Sequence, residues 1–359
     1  MRRLWRPVLD KIEPYAAGPP LEQLQAERPD LFRLSANENP LGTSGRVIDA
    51  ITAEAPRAHL YPDGGGTALR QALGRHLGVA PEAVLLANGA DEILTLIAWA
   101  AFEPGDHVVI PHPSFEPYAT VVTLSGAAPV LSPLVDYHTD LDDVMGRVTS
   151  RTKALILCSP HNPTGTILRR EPLLGLLSRL GADPPLVILD EAYRDFVDDP
   201  ESPDGVALLD KLPTLIVLRT FSKIAGLAGL RVGYAVARPE VIGPLNKVRA
   251  PYNVNRVAQA AALAALEDHQ YREQTAELVR NERRILTVEL TARGLSVVPS
   301  QANFLLVRVG DSASTMREGL LKAGILVRDG AAVGFPGHLR ITVGTRAQNQ
   351  RLLAALAVG

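Results

Sequence analysis

Short uninterrupted apolar runs, each bounded by polar or glycine-bearing segments, recur through the first two thirds of the chain. They are Ala83–Ala87, His107–Ile110, Ala154–Cys158, Leu186–Leu189, Thr214–Leu218 and Val232–Val236. Apolar side chains fall on both faces of each run instead of alternating, the pattern of strands covered by helices on two sides. Helical periodicity fills the spaces between them, as in Thr67–Leu77 and Ile93–Phe102. Strands alternating with helices predict an α/β fold with a mostly parallel sheet.

The texture changes near residue 250. Asn255–Leu266 is alanine-rich and helical, and Tyr271–Arg293 carries Leu278, Ile285, Leu286, Val288 and Leu290 along one long amphipathic helix. Two strands, Phe304–Val307 and Leu339–Val343, then bracket a helix near Ala313–Ala323. The expected organisation is an arm over 1–35 that packs with the smaller unit, a large domain over 36–250, and a small α+β domain with its linking helix over 251–359.

Composition narrows the function classes. The 359 residues are 46% hydrophobic and 21% charged, with a net charge of -2. That describes an ordinary globular chain, with no electrostatic reason to expect nucleic acid or an anionic membrane as partner. No run of about 18 apolar residues predicts a spanning helix, and the arginines at the amino end are not followed by an apolar leader segment. One cysteine, Cys158, excludes an internal disulfide and suits a reducing cytoplasm; its apolar run makes it a buried small side chain. The eight histidines show no metal-ligand spacing, so no metal site is expected.

Candidate chemistry sits where the apolar runs end. Lys223 lies in Thr220-Phe-Ser-Lys223, with Arg231 eight positions on; Asp190 closes one run in Asp190-Glu-Ala-Tyr193, and Asn162 follows another in Asn162-Pro-Thr-Gly165. Ligands of open α/β sheets collect at the carboxyl ends of strands, so these groups share one crevice. A lysine amine able to condense with an aldehyde, a carboxylate beside a ring nitrogen, and an amide and a phenol beside a ring oxygen together meet the demands of pyridoxal 5'-phosphate. Read alone, Asn162–Gly165 is a turn; in order with Asp190 and Lys223 it reads as cofactor chemistry.

The cofactor phosphate needs a cradle. Asn88-Gly-Ala-Asp-Glu92 follows an apolar run and opens a helix, presenting free N–H groups to an anion. Thr220, Ser222 and Arg231 add hydroxyls and a charged fork. Asp91 and Glu92 are read as helix caps. Asp63-Gly-Gly-Gly66 lacks a preceding strand and reads as a flexible turn. Phe115 is a candidate stacking plate for the cofactor ring.

At these residues the chain resembles the fold-type I pyridoxal-phosphate aminotransferases, and within them the histidinol-phosphate aminotransferases. The likeness runs from Leu34-Ser-Ala-Asn-Glu-Asn-Pro-Leu-Gly42 through Tyr61-Pro-Asp63 and the motifs above to Val327-Arg-Asp329 and Leu339-Arg-Ile-Thr-Val-Gly344. The resemblance implies a large domain with a mostly parallel seven-stranded sheet covered by helices, plus a smaller α+β domain. It implies that Lys223 bonds the cofactor covalently, that Asp190 pairs the pyridine nitrogen, and that Asn162 and Tyr193 donate to the 3-oxygen. Ala90, Asp91, Thr220, Ser222 and Arg231 hold the phosphate. Tyr61 reaches that phosphate from the neighbouring subunit of a homodimer. Tyr15, Asn37, Arg328 and Arg340 line the substrate pocket, with Arg340 taking the substrate's acid group. Two departures stand out: the plate is Phe115 where tyrosine is usual, and three glycines follow Asp63 where bulkier residues are usual.

Implied too is amino-group transfer between L-histidinol phosphate and 2-oxoglutarate, with small-molecule substrates only, in the cytoplasm. Alternative readings are an aromatic amino-acid aminotransferase, a threonine-phosphate decarboxylase, or a catalytically silent binding protein.

Overall fold

The computed structural model describes residues 4–14 and 18–356. In chain order the first strands are β1 (Phe32–Leu34), β2 (Val84–Ala87), β3 (His107–His112), β4 (Ala128–Val135), β5 (His138–Thr139), β6 (Thr152–Cys158) and β7 (Leu186–Asp190). They continue with β8 (Leu215–Thr220), β9 (Gly233–Ala237), β10 (Ser296–Val297), β11 (Phe304–Arg308), β12 (Ile325–Asp329) and β13 (His338–Thr342). The larger sheet runs β2-β9-β8-β7-β6-β3-β4-β5 and the smaller β1-β12-β13-β11-β10.

Pairing is parallel from β8 through β7, β6 and β3 to β4. It is antiparallel where β9 joins β8 and β2, and where β5 joins β4. The larger sheet thus has eight strands, and the expectation of seven is corrected. The extra one, β5, is two residues long and folds back on β4 through Asp136 and Tyr137, both left-handed. Two residues cannot make a readable apolar run. β4 lacks such a run for a different reason: it carries Pro129 and Pro133 and is mostly accessible to solvent, as suits a strand near a sheet edge.

The central strands are buried as their composition demands. Ala154–Cys158 and Val187–Asp190 are closed off throughout, between helices on both faces. The amino-terminal β1 crosses to the smaller sheet and lies parallel to β12. The 24-residue helix His269–Ala292 buries Ala276, Val279, Arg283, Leu286 and Leu290 at steps of three or four, with Thr275 and Glu282 beside them. Arg283 on that stripe donates to the carbonyls of Phe196 and Ala302 and pairs Asp198 at 3.0 Å, which offsets part of the cost of burying its charge.

The Asp63–Gly66 turn is tied down, which corrects the expectation of flexibility. The Asp63 carboxylate accepts from the backbone N–H groups of Gly65 at 2.8 Å and Thr67 at 2.7 Å. Gly66, at φ +57°, packs where a side chain would overlap Leu86.

Candidate active site

Three adjacent parallel strands aim the chemistry at one place. Cys158 is paired with Asp190, and Asp190 with Leu218, so β6, β7 and β8 end side by side. Neighbouring strands are about 4.8 Å apart, which brings the segments carrying Asn162, Asp190 and Lys223 within reach of one small molecule. They line a cavity of about 310 Å³, large enough for a cofactor with part of its substrate.

Asp190 is 5% exposed. Its Oδ2 accepts from Tyr118 Oη at 2.6 Å, and its Oδ1 accepts from the Ala192 backbone N–H at 2.9 Å. Burial pushes its pKa up to about 6, while those two donors hold it down. A carboxylate so placed gains much from a cationic neighbour, and a protonated ring nitrogen is one. Tyr118 escaped the sequence reading. It stands three residues after Phe115 at the start of the helix Pro117–Ser125, is 1% exposed, and meets the Phe115 ring edge to face at 5.5 Å.

Lys223 is partly buried, its Nζ donating to the Ala36 carbonyl at 3.3 Å. Burial, then the nearby Arg340 charge, lowers its amine to about 8. Near neutrality a sizeable fraction is therefore uncharged and nucleophilic. Its Nζ lies 5.6 Å from the centre of the Tyr193 ring.

Asn162 is presented by a tightly bonded loop. The His161 N–H donates to the Thr166 carbonyl at 2.7 Å, and the Gly165 N–H to the His161 carbonyl at 2.6 Å. His161 shares a 3.0 Å hydrogen bond with Thr164 Oγ1, and burial drives its pKa to about 3, so it stays neutral. Asn162 Oδ1 accepts from Arg340 Nη1 at 2.8 Å, which leaves its amide N–H groups for the cavity. Tyr193 Oη accepts from Asn37 Nδ2 at 3.1 Å, and burial raises the phenol's pKa.

The anion cradle is built by missing side chains. Gly89, at φ +81°, precedes the helix Ala90–Ala101. A Cβ there would lie 2.5 Å from Arg231 Nη2, and a Cβ on Gly233 would lie 2.9 Å from the Ala90 nitrogen. The absent methyl groups let the helix start, Arg231 and the start of β9 converge. Thr220 Oγ1 donates to Ser222 Oγ at 2.9 Å, and Arg231 Nη1 approaches that oxygen at 3.4 Å. The capping expectation for Asp91 is corrected: Glu92 caps, accepting from the Asn88 N–H at 2.5 Å. Asp91 instead pairs Arg231 at 3.0 Å, on the side of the helix start that lines the cavity.

On the opposite wall, Arg328 of β12 and Arg340 of β13 stand directly across from each other. Like charges so opposed are unfavourable, and an acid group between them would offset that cost. Arg340 is held by the Ser35 carbonyl at 2.8 Å. Arg33, paired with Glu38, also lines the cavity.

Of the residues expected at the site, Asn37, Ala90, Asp91, Phe115, Asn162, Asp190, Tyr193, Thr220, Ser222, Lys223, Arg231, Arg328 and Arg340 line this cavity. Tyr61 does not; it stacks on Tyr252 at 4.7 Å and is 77% exposed. Tyr15 lies outside the described residues. The donor set fits pyridoxal phosphate: an amine of depressed basicity, a buried carboxylate and an anion cradle share one cavity.

Comparison with known proteins gives the family and the fold. Residues 29–356 match the model of the family described as aminotransferase class I and II. The histidinol-phosphate aminotransferase of Symbiobacterium thermophilum is 42% identical over 355 residues, covering 98% of this chain and 97% of that one. Its namesake from Caldicellulosiruptor saccharolyticus is 39% identical, covering 98% and 99%. Among solved structures, histidinol-phosphate aminotransferase from Sinorhizobium meliloti, in complex with pyridoxal-5'-phosphate, superposes with a TM-score of 0.88 at 29% identity, covering 98% and 96%. Aspartate aminotransferase from Thermus thermophilus with maleate gives 0.85 at 25% identity, covering 99% of each. With its fold, its lysine-centred cavity and matches along nearly its whole length, this chain belongs to the class I and II aminotransferases.

Proposed function

We propose that the chain is a pyridoxal-phosphate-dependent transaminase that takes L-histidinol phosphate as amino donor and 2-oxoglutarate as acceptor in histidine biosynthesis. The observation that carries the reading is the single cavity in which Lys223 and Asp190 face the opposed pair Arg328 and Arg340. When bound, the cofactor supplies an acceptor for the electron pair released as the substrate Cα loses its proton. Lys223 would hold the cofactor aldehyde and would serve as base for the Cα proton. Asp190 keeps the proton on the ring nitrogen, with Tyr118 steadying the carboxylate. Asn162 and Tyr193 would donate to the 3-oxygen, Phe115 would stack on the ring, and the backbone N–H groups of Ala90 and Asp91 with Thr220, Ser222 and Arg231 would hold the phosphate. Arg328 and Arg340 grip the acid group, phosphate in one half-reaction and carboxylate in the other.

The active unit in this reading is a homodimer. Tyr61, 77% exposed and outside its own cavity, would serve a partner's phosphate site in that dimer. Sedimentation at micromolar concentration is expected to give one dimeric species.

Single-turnover reactions with histidinol phosphate, phenylalanine and threonine phosphate test the substrate. The first is expected to discharge the cofactor fastest, giving the 2-oxo product. Faster reaction with phenylalanine, or carbon dioxide release from threonine phosphate, would replace this reading with one of its neighbours.

A further inference from the structure

Asn37 is 1% exposed, yet its backbone is left-handed at φ +54°. That conformation is uncommon outside glycine, although asparagine tolerates it better than most residues. Three bonds hold it there. Its N–H donates to Thr342 Oγ1 at 2.9 Å, its carbonyl accepts from Asn303 Nδ2 at 3.0 Å, and Thr342 Oγ1 donates to Asn37 Oδ1 at 3.2 Å. Thr342 is 3% exposed and Asn303 is fully buried, so water does not offer a substitute.

We propose that Thr342 and Asn37 form a one-way hydrogen-bond relay that fixes the Tyr193 hydroxyl as a donor into the cavity, making Asn37 a positioning residue for Tyr193. The direction follows from donor counting. The Thr342 hydroxyl has one proton and already accepts the Asn37 N–H, so its proton goes to Asn37 Oδ1. That orients the side-chain amide: its NH2 end faces Tyr193 and donates to Oη at 3.1 Å. Tyr193 therefore accepts, and its own proton points onward. With the amide reversed, Asn37 Oδ1 would take that proton and the cavity would meet only a phenol lone pair. Strand β13 thus polarises both proposed 3-oxygen donors. Thr342 acts through Asn37 on Tyr193, while Arg340 occupies Asn162 Oδ1 and leaves the Asn162 amide hydrogens for the cavity. Thr342 and Arg340, two apart on one strand, share a face.

The inference rests on the reading of Tyr193 as a donor to the cofactor's 3-oxygen, and a double-mutant cycle separates the two. A hydrogen bond donated to that oxygen stabilises its anion and lowers the pH at which the lysine-bound cofactor changes its visible absorbance. Wild type, Tyr193→Phe, Asn37→Asp and the double variant are loaded with pyridoxal phosphate and titrated by absorbance. Tyr193→Phe is expected to raise the midpoint by about one pH unit, tenfold in proton affinity. Asn37→Asp replaces the donor with an acceptor that captures the Tyr193 proton, and raises it comparably. The charge of Asp also acts through space, so the decisive comparison is its effect in the Tyr193→Phe background, expected to be less than half that in wild type. Equal shifts in both backgrounds overturn the relay and leave Tyr193 as the donor. No shift in Tyr193→Phe overturns both. Thr342→Val, nearly isosteric, covers the case in which Asn37→Asp does not fold. It is expected to raise the midpoint only while Tyr193 is present, with Thr342→Ser behaving as wild type; an unmoved midpoint in Thr342→Val overturns the relay.

Discussion

Replacing Tyr118 with phenylalanine removes one oxygen from a buried site and should move a proton equilibrium more than it moves the fold. The lost bond is the 2.6 Å donation to Asp190 Oδ2. A hydrogen bond to a charged group is worth about 1.5–3 kcal/mol, or about one to two pK units. Burial has already raised Asp190 to about 6 with Tyr118 in place, so the variant's carboxyl should titrate near pH ~7–8. The sign is fixed by the group: a carboxyl of raised pKa is protonated below that value and can support a cationic ring nitrogen only above it. At pH 7 the ionised fraction then falls from about nine tenths to between about one half and one tenth. Cofactor affinity of the apoenzyme should drop about twofold to tenfold at pH 7, and the ratio to wild type should shrink toward one by pH 9. Equilibrium titration with pyridoxal phosphate, followed by visible absorbance from pH 6 to 9, measures it. A ratio that does not change with pH would mean that Tyr118 merely fills space, and the account of Asp190 would fail.

The rate of cofactor capture by apoenzyme should rise with pH about a midpoint near 8, the value to which burial lowers the Lys223 amine; a rise centred above 10 in stopped-flow absorbance would contradict it. Gly89→Val puts a branched side chain where a Cβ alone would lie 2.5 Å from Arg231 Nη2 and at φ +81°. It should cost more than tenfold in cofactor affinity, with circular dichroism unchanged, given strain of about 1–3 kcal/mol. Arg340→Lys keeps the charge but loses the fork that bonds Asn162 and Ser35. Apparent substrate KM should rise about tenfold or more, and an unchanged KM would move the acid-group site elsewhere.

Much of the site could be read along the chain because its residues follow the strands that carry them. Asn162, Asp190 and Lys223 each end or follow an apolar run, and three parallel neighbours in the sheet bring such ends together. Tyr118 was hidden because an aromatic near a helix start looks the same whether it fills the core or bonds a carboxylate; only the partner strand decides. Asp91 and Glu92 are interchangeable as caps in composition, and the structure separates them by the side of the helix each occupies. Thr342 ends a short strand with nothing in its neighbours to mark it, and its bond to Asn37 spans 305 positions. β5 is invisible in the sequence because two residues carry no periodicity, and the rigidity of the glycine turn is hidden because the two N–H bonds to Asp63 have no compositional trace.

The facing guanidinium groups of β12 and β13 have a practical corollary for whoever handles this enzyme. A clamp built for any compact oxyanion does not distinguish a nutrient from a salt, so sulfate or inorganic phosphate in the medium should compete for it. Kinetic work in such buffers would report an enzyme weaker than it is, and storage in them would favour the folded chain by mass action.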